Sequence, residues 1–366
     1  MALRLAPLDE VMRPAFERLL AEAWGENWGA ARAAELVAWR YYERATPGDT
    51  WVATDGTACV AMLDSYVRPY LLDGREVAVR EACDWYCLPR YRPLGVGVHL
   101  MRRMMAYPEP VLSIGGTEAT QAILPRLRWS PLPSVTKMIL PLRARDLVAN
   151  LLRLWRPAHE RWARAVPRVL PFRRPAQADP PHGRARVVEW RSGMALPKPA
   201  GAGLVALAGP AELEHLSRIP PWLAHPFGLV FLRGDEPVGF SLSQLEPSLG
   251  GLEACLVHLQ LAETSATLAG WVVAETASRL ASLGVGMIRC LASTPAKVAA
   301  LEQAGFVRTR PRPAYWWQKN GPPPPALIDA GYLRADDAMP FATLRARRLA
   351  QEAGGRLGVP VLGTQS

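Results

Sequence analysis

The sequence predicts an α/β fold of the α+β kind, a mixed sheet in two tandem units, each mostly antiparallel and flanked by helices. Three observations carry this expectation. Apolar spacing changes from helical to alternating near residue 50, and the alternating segments meet at Asp55-Gly56 and Asp73-Gly74, both hairpin signals. The last alternating segment runs into Arg92-Pro93-Leu94-Gly95-Val96-Gly97, two closely spaced glycines ahead of a helical pattern. Finally, Thr117, Ala119, Ala122, Leu124 and Trp129 recur without a gap as Thr294, Ala296, Ala299, Leu301 and Phe306.

In chain order, residues 3–5 form a first strand. Residues 14–24 put Phe16, Leu19, Leu20 and Trp24 on one helical face, and 30–44 repeat the pattern with Leu36, Val37 and Tyr41. Strands follow at 50–54, 57–72 and 75–88. Residues 98–105 are a helix, 111–114 a strand, 117–127 a helix, and 135–142 a strand that closes a first unit at 1–142. The linker, 143–185, holds nine arginines between positions 143 and 174 against Asp146 and Glu160. Leu147, Val148, Leu151, Leu152 and Trp155 give it an apolar helical face, which Pro157, Pro167, Pro171 and Pro175 then break. Core-facing amphipathic helices are the commoner kind, so an inter-domain helix is expected here ahead of a membrane-surface one. The second unit, 186–320, has a hairpin at 228–233 and 238–246, a strand at 252–261, a helix at 268–283 and a strand at 287–291. A helix at 295–304 and strands at 306–309 and 314–318 complete it. Residues 321–366 are a tail.

At 366 residues the chain exceeds what one core usually holds, so two domains are the default. Only four of the 43 basic residues are lysine (Lys137, Lys198, Lys297 and Lys319). That arginine bias reads as genome composition, so the net charge of +10 is not taken as a sign of a nucleic-acid partner. No signal-peptide pattern and no apolar run long enough to span a bilayer is visible. The five cysteines are dispersed, and Cys83 and Cys87 lack zinc spacing. A cytoplasmic protein with reduced thiols, no metal and no integral membrane segment is expected.

A strand, a glycine turn and a helix make an anion site. The first N–H groups of the helix have no intrahelical acceptor and lie at the positive end of its dipole. Gly95 and Gly97 let a phosphate approach the backbone, and Arg92 adds a fixed cation. Arg92, Gly95 and Gly97, behind Pro89-Arg90-Tyr91, resemble motif A of the GNAT superfamily of acyl-CoA-dependent N-acyltransferases. The order of elements over about the first 142 residues is similar to that family's too. Gln303-Ala304-Gly305-Phe306 resembles its closing signature, which makes the chain a tandem pair. The resemblance implies that Arg92, Pro93, Leu94, Gly95, Val96 and Gly97 hold the pyrophosphate of acetyl-CoA or another acyl-CoA. It also implies that the backbone at Cys87 and Leu88 meets the pantetheine arm. The second copy has Leu261-Ala262-Glu263-Thr264-Ser265 where the motif belongs, and a lost cofactor site is expected there.

Acyl transfer to an amine needs a proton acceptor and a donor for the leaving thiolate. Glu81 is the first candidate base. It lies eleven positions before Arg92, where one branch of the family carries its glutamate, and Cys83 and Trp85 are expected beside it on one strand face. Asp84 is the second. The family's acidic tyrosine falls at Leu124, so Tyr86, Tyr91 or water is expected to replace it. His99 reads as a packing or surface residue, and Cys87 has no basic partner to make it a nucleophile. Trp24, Trp28, Trp39, Tyr41, Tyr42 and Trp51 crowd the region that walls the acceptor pocket in the family, though a core has the same composition. The acceptor expected is a small-molecule amine. The segment from Tyr332 to Met339 faintly resembles tandem proteins encoded beside polysaccharide-assembly genes and suggests an amino sugar. The alternative is a catalytically silent tandem protein that binds acyl-CoA or a protein partner.

Overall fold

The computed structural model describes residues 3–24, 30–43, 49–155, 175, 178–181, 185–220, 224–247, 251–320 and 324–329. Trp28, most of the arginine-rich strap and the segment from Tyr332 to Met339 lie outside them.

The first half begins with β1 (Leu3–Pro7), α1 (Arg13–Trp24) and α2 (Ala30–Val37). A π-helical turn, Ala38–Tyr42, extends α2 and buries Trp39, Arg40 and Tyr41 in succession. Then come β2 (Trp51–Asp55), β3 (Ala58–Leu72) and β4 (Arg75–Cys87). Asp73 and Gly74 both have positive φ, 48° and 82°, as the Asp-Gly hairpin signal requires. A 3-10 turn, Pro89–Leu94, leads into α3 (Val96–Met104), followed by β5 (Val111–Ile114), α4 (Glu118–Arg126) and β6 (Ser130–Pro141). Beyond α5 (Ala144–Trp155), the second half has β7 (Ala185–Glu189), β8 (Leu204–Ala206), α6 (Pro210–Ser217), β9 (His225–Arg233), β10 (Glu236–Pro247) and β11 (Leu252–Leu261). It continues with α7 (Ala266–Ser282), β12 (Val285–Ala292), α8 (Pro295–Gln303), β13 (Val307–Trp317) and β14 (Ile328–Asp329).

The internal repeat is visible in three dimensions. Thr117 and Thr294 are the N-caps of α4 and α8, each accepting a backbone N–H three residues on. Leu124 and Leu301 are buried at the matching turn. Their carbonyls accept the N–H groups of Trp129 and Phe306, whose rings are also buried.

The strand order is β1-β2-β3-β4-β5-β13-β6-β12-β11-β10-β9-β7. The sequence reading has residues 135–142 closing the first unit on its own sheet. Instead, β6 lies between β13 and β12, and β13 lies between β5 and β6. Each half lends its last strand to the other, so one sheet runs through both. Neither strand shows this in its sequence, because alternation fixes which face is buried and says nothing about which neighbour is paired. The two short strands expected at 306–309 and 314–318 are one strand, β13. Its register slips at Pro311 and again near Pro313, where proline cannot donate to a ladder.

A second contact zone joins the halves. Leu36, Trp39, Tyr66 and Cys83 pack with Leu213, Leu216, Val230, Phe240 and Val257. The Trp39 indole stacks on His215 at 4.6 Å between centroids and donates to the His215 carbonyl at 3.0 Å. In addition, β8 pairs with the end of β3 at Tyr70, Leu71 and Leu72.

Trp39→Ala should cost roughly 3–5 kcal/mol in denaturant unfolding, as for other buried large side chains. Trp39→Phe, which keeps an aromatic ring of smaller size and loses the donor, should cost about 1–3 kcal/mol.

Candidate active site

Strand β4 is the floor of the site. It pairs with β5 at only two positions, Arg80 with Val111 and Glu81 with Leu112. Past that point β4 continues to Cys87 while β5 turns away. A strand in mid-sheet should be covered, yet Ala82, Asp84, Trp85 and Tyr86 are all partly exposed. Beyond this stretch along the chain lie the 3-10 turn and the start of α3. Gly95 caps that helix in the left-handed region, with φ 71°, and a Cβ built there meets nothing within 4 Å. Gly97 is needed for a different reason. A Cβ there would lie 3.0 Å from the Trp85 indole nitrogen, which donates to the Gly97 carbonyl at 3.0 Å. Arg92, Pro93 and Leu94 are exposed on the turn. Arg92 Nε donates to the Cys87 carbonyl at 2.9 Å and so ties the turn to the end of β4.

A bulge shapes the same stretch. Asp64 pairs with Cys83 and Met62 with Tyr86, so Leu63 alone faces Asp84 and Trp85. Asp84 takes φ 43°, a conformation that aspartate tolerates better than most residues. The bulge also reverses the alternation. Cys83 stays on the inter-half face, whereas Trp85 turns under α3. The expected pairing of Cys83 with Trp85 beside Glu81 is therefore not formed.

No protein-family model matches the chain, and no curated protein matches it by sequence. Solved structures do match. A GCN5-related N-acetyltransferase from Anabaena variabilis has a TM-score of 0.51 at 10% identity, over 86% of this chain and 72% of that one. A tandem GNAT protein from the clavulanic acid biosynthesis pathway has 0.50 at 13%, over 88% and 100%. This chain has the tandem GNAT fold. The N-myristoyltransferase of Saccharomyces cerevisiae, solved with bound myristoyl-CoA, is similar as well, with 0.52 at 12%, over 86% and 82%.

Both halves of the tandem GNAT fold keep the opening, and they differ in what fills it. In the second half, β11 pairs with β12 only as far as Leu256 with Cys290. Beyond that, the Leu259 carbonyl accepts a bond from Lys297 Nζ, and Lys297 also pairs with Asp329 at 2.6 Å. The Leu261 carbonyl accepts the Ala200 N–H at 2.9 Å. Glu263, where a phosphate turn would need a donor, is paired with Arg233 at 2.9 Å. The second opening is thus partly occupied by the chain's own groups, and a cavity lined by Leu256, His258, Leu259, Cys290, Lys297 and Asp329 remains there.

The two candidate bases have different surroundings. The Glu81 carboxylate receives Arg68 Nη1 at 2.9 Å, the Tyr66 hydroxyl at 2.5 Å and the Tyr70 hydroxyl. Arg68 continues to Glu212 at 2.9 Å and to His258 at 3.2 Å, so Glu81 belongs to a buried network between the halves. The backbone of Asp84 borders the opening, while its side chain is buried, 1% exposed. Its Oδ2 takes Arg40 Nε at 2.8 Å, Arg40 Nη2 at 2.5 Å and the Tyr41 hydroxyl at 2.8 Å. Its Oδ1 is buried and has no hydrogen-bond partner.

Tyr86 stands beside Arg92, 5.9 Å from its guanidinium; burial raises its pKa while Arg92 pulls it down. Tyr91 donates to Asp55 at 2.9 Å. His99 is exposed on α3. The aromatic residues expected around an acceptor have other partners. Trp39 joins the halves, Tyr41 holds Asp84, and the Trp51 indole donates to Tyr107 at 2.9 Å beneath Arg103. The sequence reading missed Arg40, since nothing in it marks a π-helical turn that aims consecutive residues at one carboxylate.

All five cysteines are free thiols and buried. Burial pushes the Cys87 thiol up, although the Gly97 N–H and Arg92 pull it down. A raised thiol pKa leaves little thiolate at neutral pH. Peptide mass spectrometry after alkylation at pH 7 should therefore find Cys87 unmodified in the folded protein. Alkylation at the rate of a free cysteine would contradict this geometry.

Proposed function

We propose that this chain transfers an acyl group from acyl-CoA to a small-molecule amine, by direct attack of the amine on the thioester. The observation that carries the reading is the open stretch of β4 between Glu81 and Cys87, which ends on an uncovered helix start at Gly95. The residues present suit an acyl-CoA. The α3 N-terminus with Arg92 matches a pyrophosphate, and the backbone from Trp85 to Leu88 offers a strand edge for the amide-bearing arm. The solved relatives add support: two are named for N-acetyl or GNAT proteins, and a third holds myristoyl-CoA.

Asp84 is the less fully hydrogen-bonded of the two candidate bases. All the donors on it converge on Oδ2, leaving Oδ1 as a buried acceptor that an amine's proton reaches when the site opens on substrate binding. Glu81 has donors on both oxygens, so its part is to hold Arg68 and the second half in place. Tandem binding without turnover remains the competing reading, motivated by the absence of a hydroxyl at Leu124.

Two measurements test this. Arg92→Glu combined with Gly95→Asp should abolish CoA binding in calorimetry, whereas Lys297→Ala should leave it within about two-fold of wild type, roughly 0.4 kcal/mol. Asp84→Asn should lower turnover by ~10²–10⁴ with CoA affinity kept, and the loss should shrink as pH rises and the amine arrives deprotonated. Removing half of a buried ion pair also destabilises the fold, but a purely structural defect would not recover at high pH. A larger, pH-dependent loss in Glu81→Gln would return the role to Glu81.

A further inference from the structure

Resting on the acyltransfer reading, we infer that Tyr315, carried into the first half by the exchanged strand β13, protonates the leaving thiolate. The reaction joins the amine nitrogen to the acyl carbon and breaks the carbon–sulfur bond. One proton leaves the amine, and one must reach the sulfur. Leu124 has nothing to give it, Tyr91 is bonded to Asp55, and Tyr86 stands beside Arg92 at the phosphate end of the opening.

Tyr315 is placed at the other end. It pairs with Ser113, one residue past Leu112, the last β5 residue paired with β4. It therefore stands level with the point where the opening begins, two strands from β4, or about 10 Å at the usual strand spacing. A pantetheine arm with its pyrophosphate at Gly95 runs back along β4 and brings its sulfur to that level. The Tyr315 ring lies on the α3 and α4 side of the sheet. It shares an apolar cluster with Cys87 and Val96 at the site and with Leu124, the position that lacks the hydroxyl. The residue is 9% exposed. Its hydroxyl has one long hydrogen bond, 3.5 Å to the Gln121 carbonyl in the first turn of α4. So weak a bond leaves the proton free to be redirected, and a phenolic hydroxyl is a donor at neutral pH. The proton passes from the Tyr315 oxygen to the sulfur, and the phenolate is reprotonated from water before the next turnover.

Thiol acidity provides the test. Tyr315→Phe and wild type are compared with acetyl-CoA and with an acetyl thioester of an acidic aromatic thiol, which departs without a proton. With acetyl-CoA the variant should lose about 10²-fold or more in kcat. With the aromatic thioester the two enzymes should agree within about three-fold, roughly 0.65 kcal/mol. Equal losses on both donors would assign Tyr315 a structural role, and no loss on either would remove it from the chemistry; both outcomes overturn the inference. So would a donor-dependent loss in Tyr86→Phe and not in Tyr315→Phe. Wild type inactive on both donors and every amine would overturn the acyltransfer reading and this inference with it. Should Tyr315→Phe fold poorly, a fluorinated tyrosine at position 315 keeps the ring and lowers the phenol pKa. The alkaline limb of kcat should then move to lower pH, and a limb that stays in place overturns the assignment.

Discussion

Everything in this molecule depends on the exchange of two strands. Because β13 pairs with β5 and β6 pairs with β12, neither half can complete its sheet without the other. Backbone groups at a sheet edge must find partners, and here β5 and β12 each find one on a strand of the other half. The exchange ties the two cores together, with Met138 and Leu140 of β6 inside the second-half core and Tyr315 of β13 inside the first. The second half thereby supplies a strand, a buried face and a network around Arg68 that complete the first half.

The second opening keeps the interrupted ladder, with the chain's own groups bonded to part of it. An interrupted β4–β5 ladder leaves backbone carbonyls that need donors. In the first half that requirement suits a ligand with amide groups. In the second half Lys297 and Ala200 satisfy Leu259 and Leu261 permanently. Lys297 is itself held by Asp329 on β14, so a residue near the end of the described chain takes part in this bonding. Among the described residues no helix is long and apolar enough to cross a membrane.

Much of this was legible in the sequence. Asp-Gly turns, alternation and the residue-by-residue repeat from Thr117 and Thr294 gave the elements and the tandem plan. Arg92, Gly95 and Gly97 marked the turn. Three features were hidden, each for a physical reason. Strand exchange leaves the inward-facing pattern unchanged, so β6 and β13 read as ordinary closing strands. A bulge adds a residue without changing composition, so Trp85 was expected beside Cys83 and lies on the other face. The π-helical turn and its Arg40–Asp84 pair depend on contacts between residues 44 apart, and no local spacing signals them. Strands β7 and β8 and helix α6 were missed as well, because five, three and eight residues are too short to show a clear period.

Hydrogen–deuterium exchange with and without saturating acetyl-CoA tests the central claim most directly, since it reads both openings in one protein. Protection should appear in the peptides covering residues 82–98, with lesser protection at the start of α4 and at 313–317 on the exchanged strand. The corresponding second-half peptides, 256–268, should exchange alike in both conditions. Protection of 256–268 without protection of 82–98 would place the cofactor in the wrong half and contradict the account.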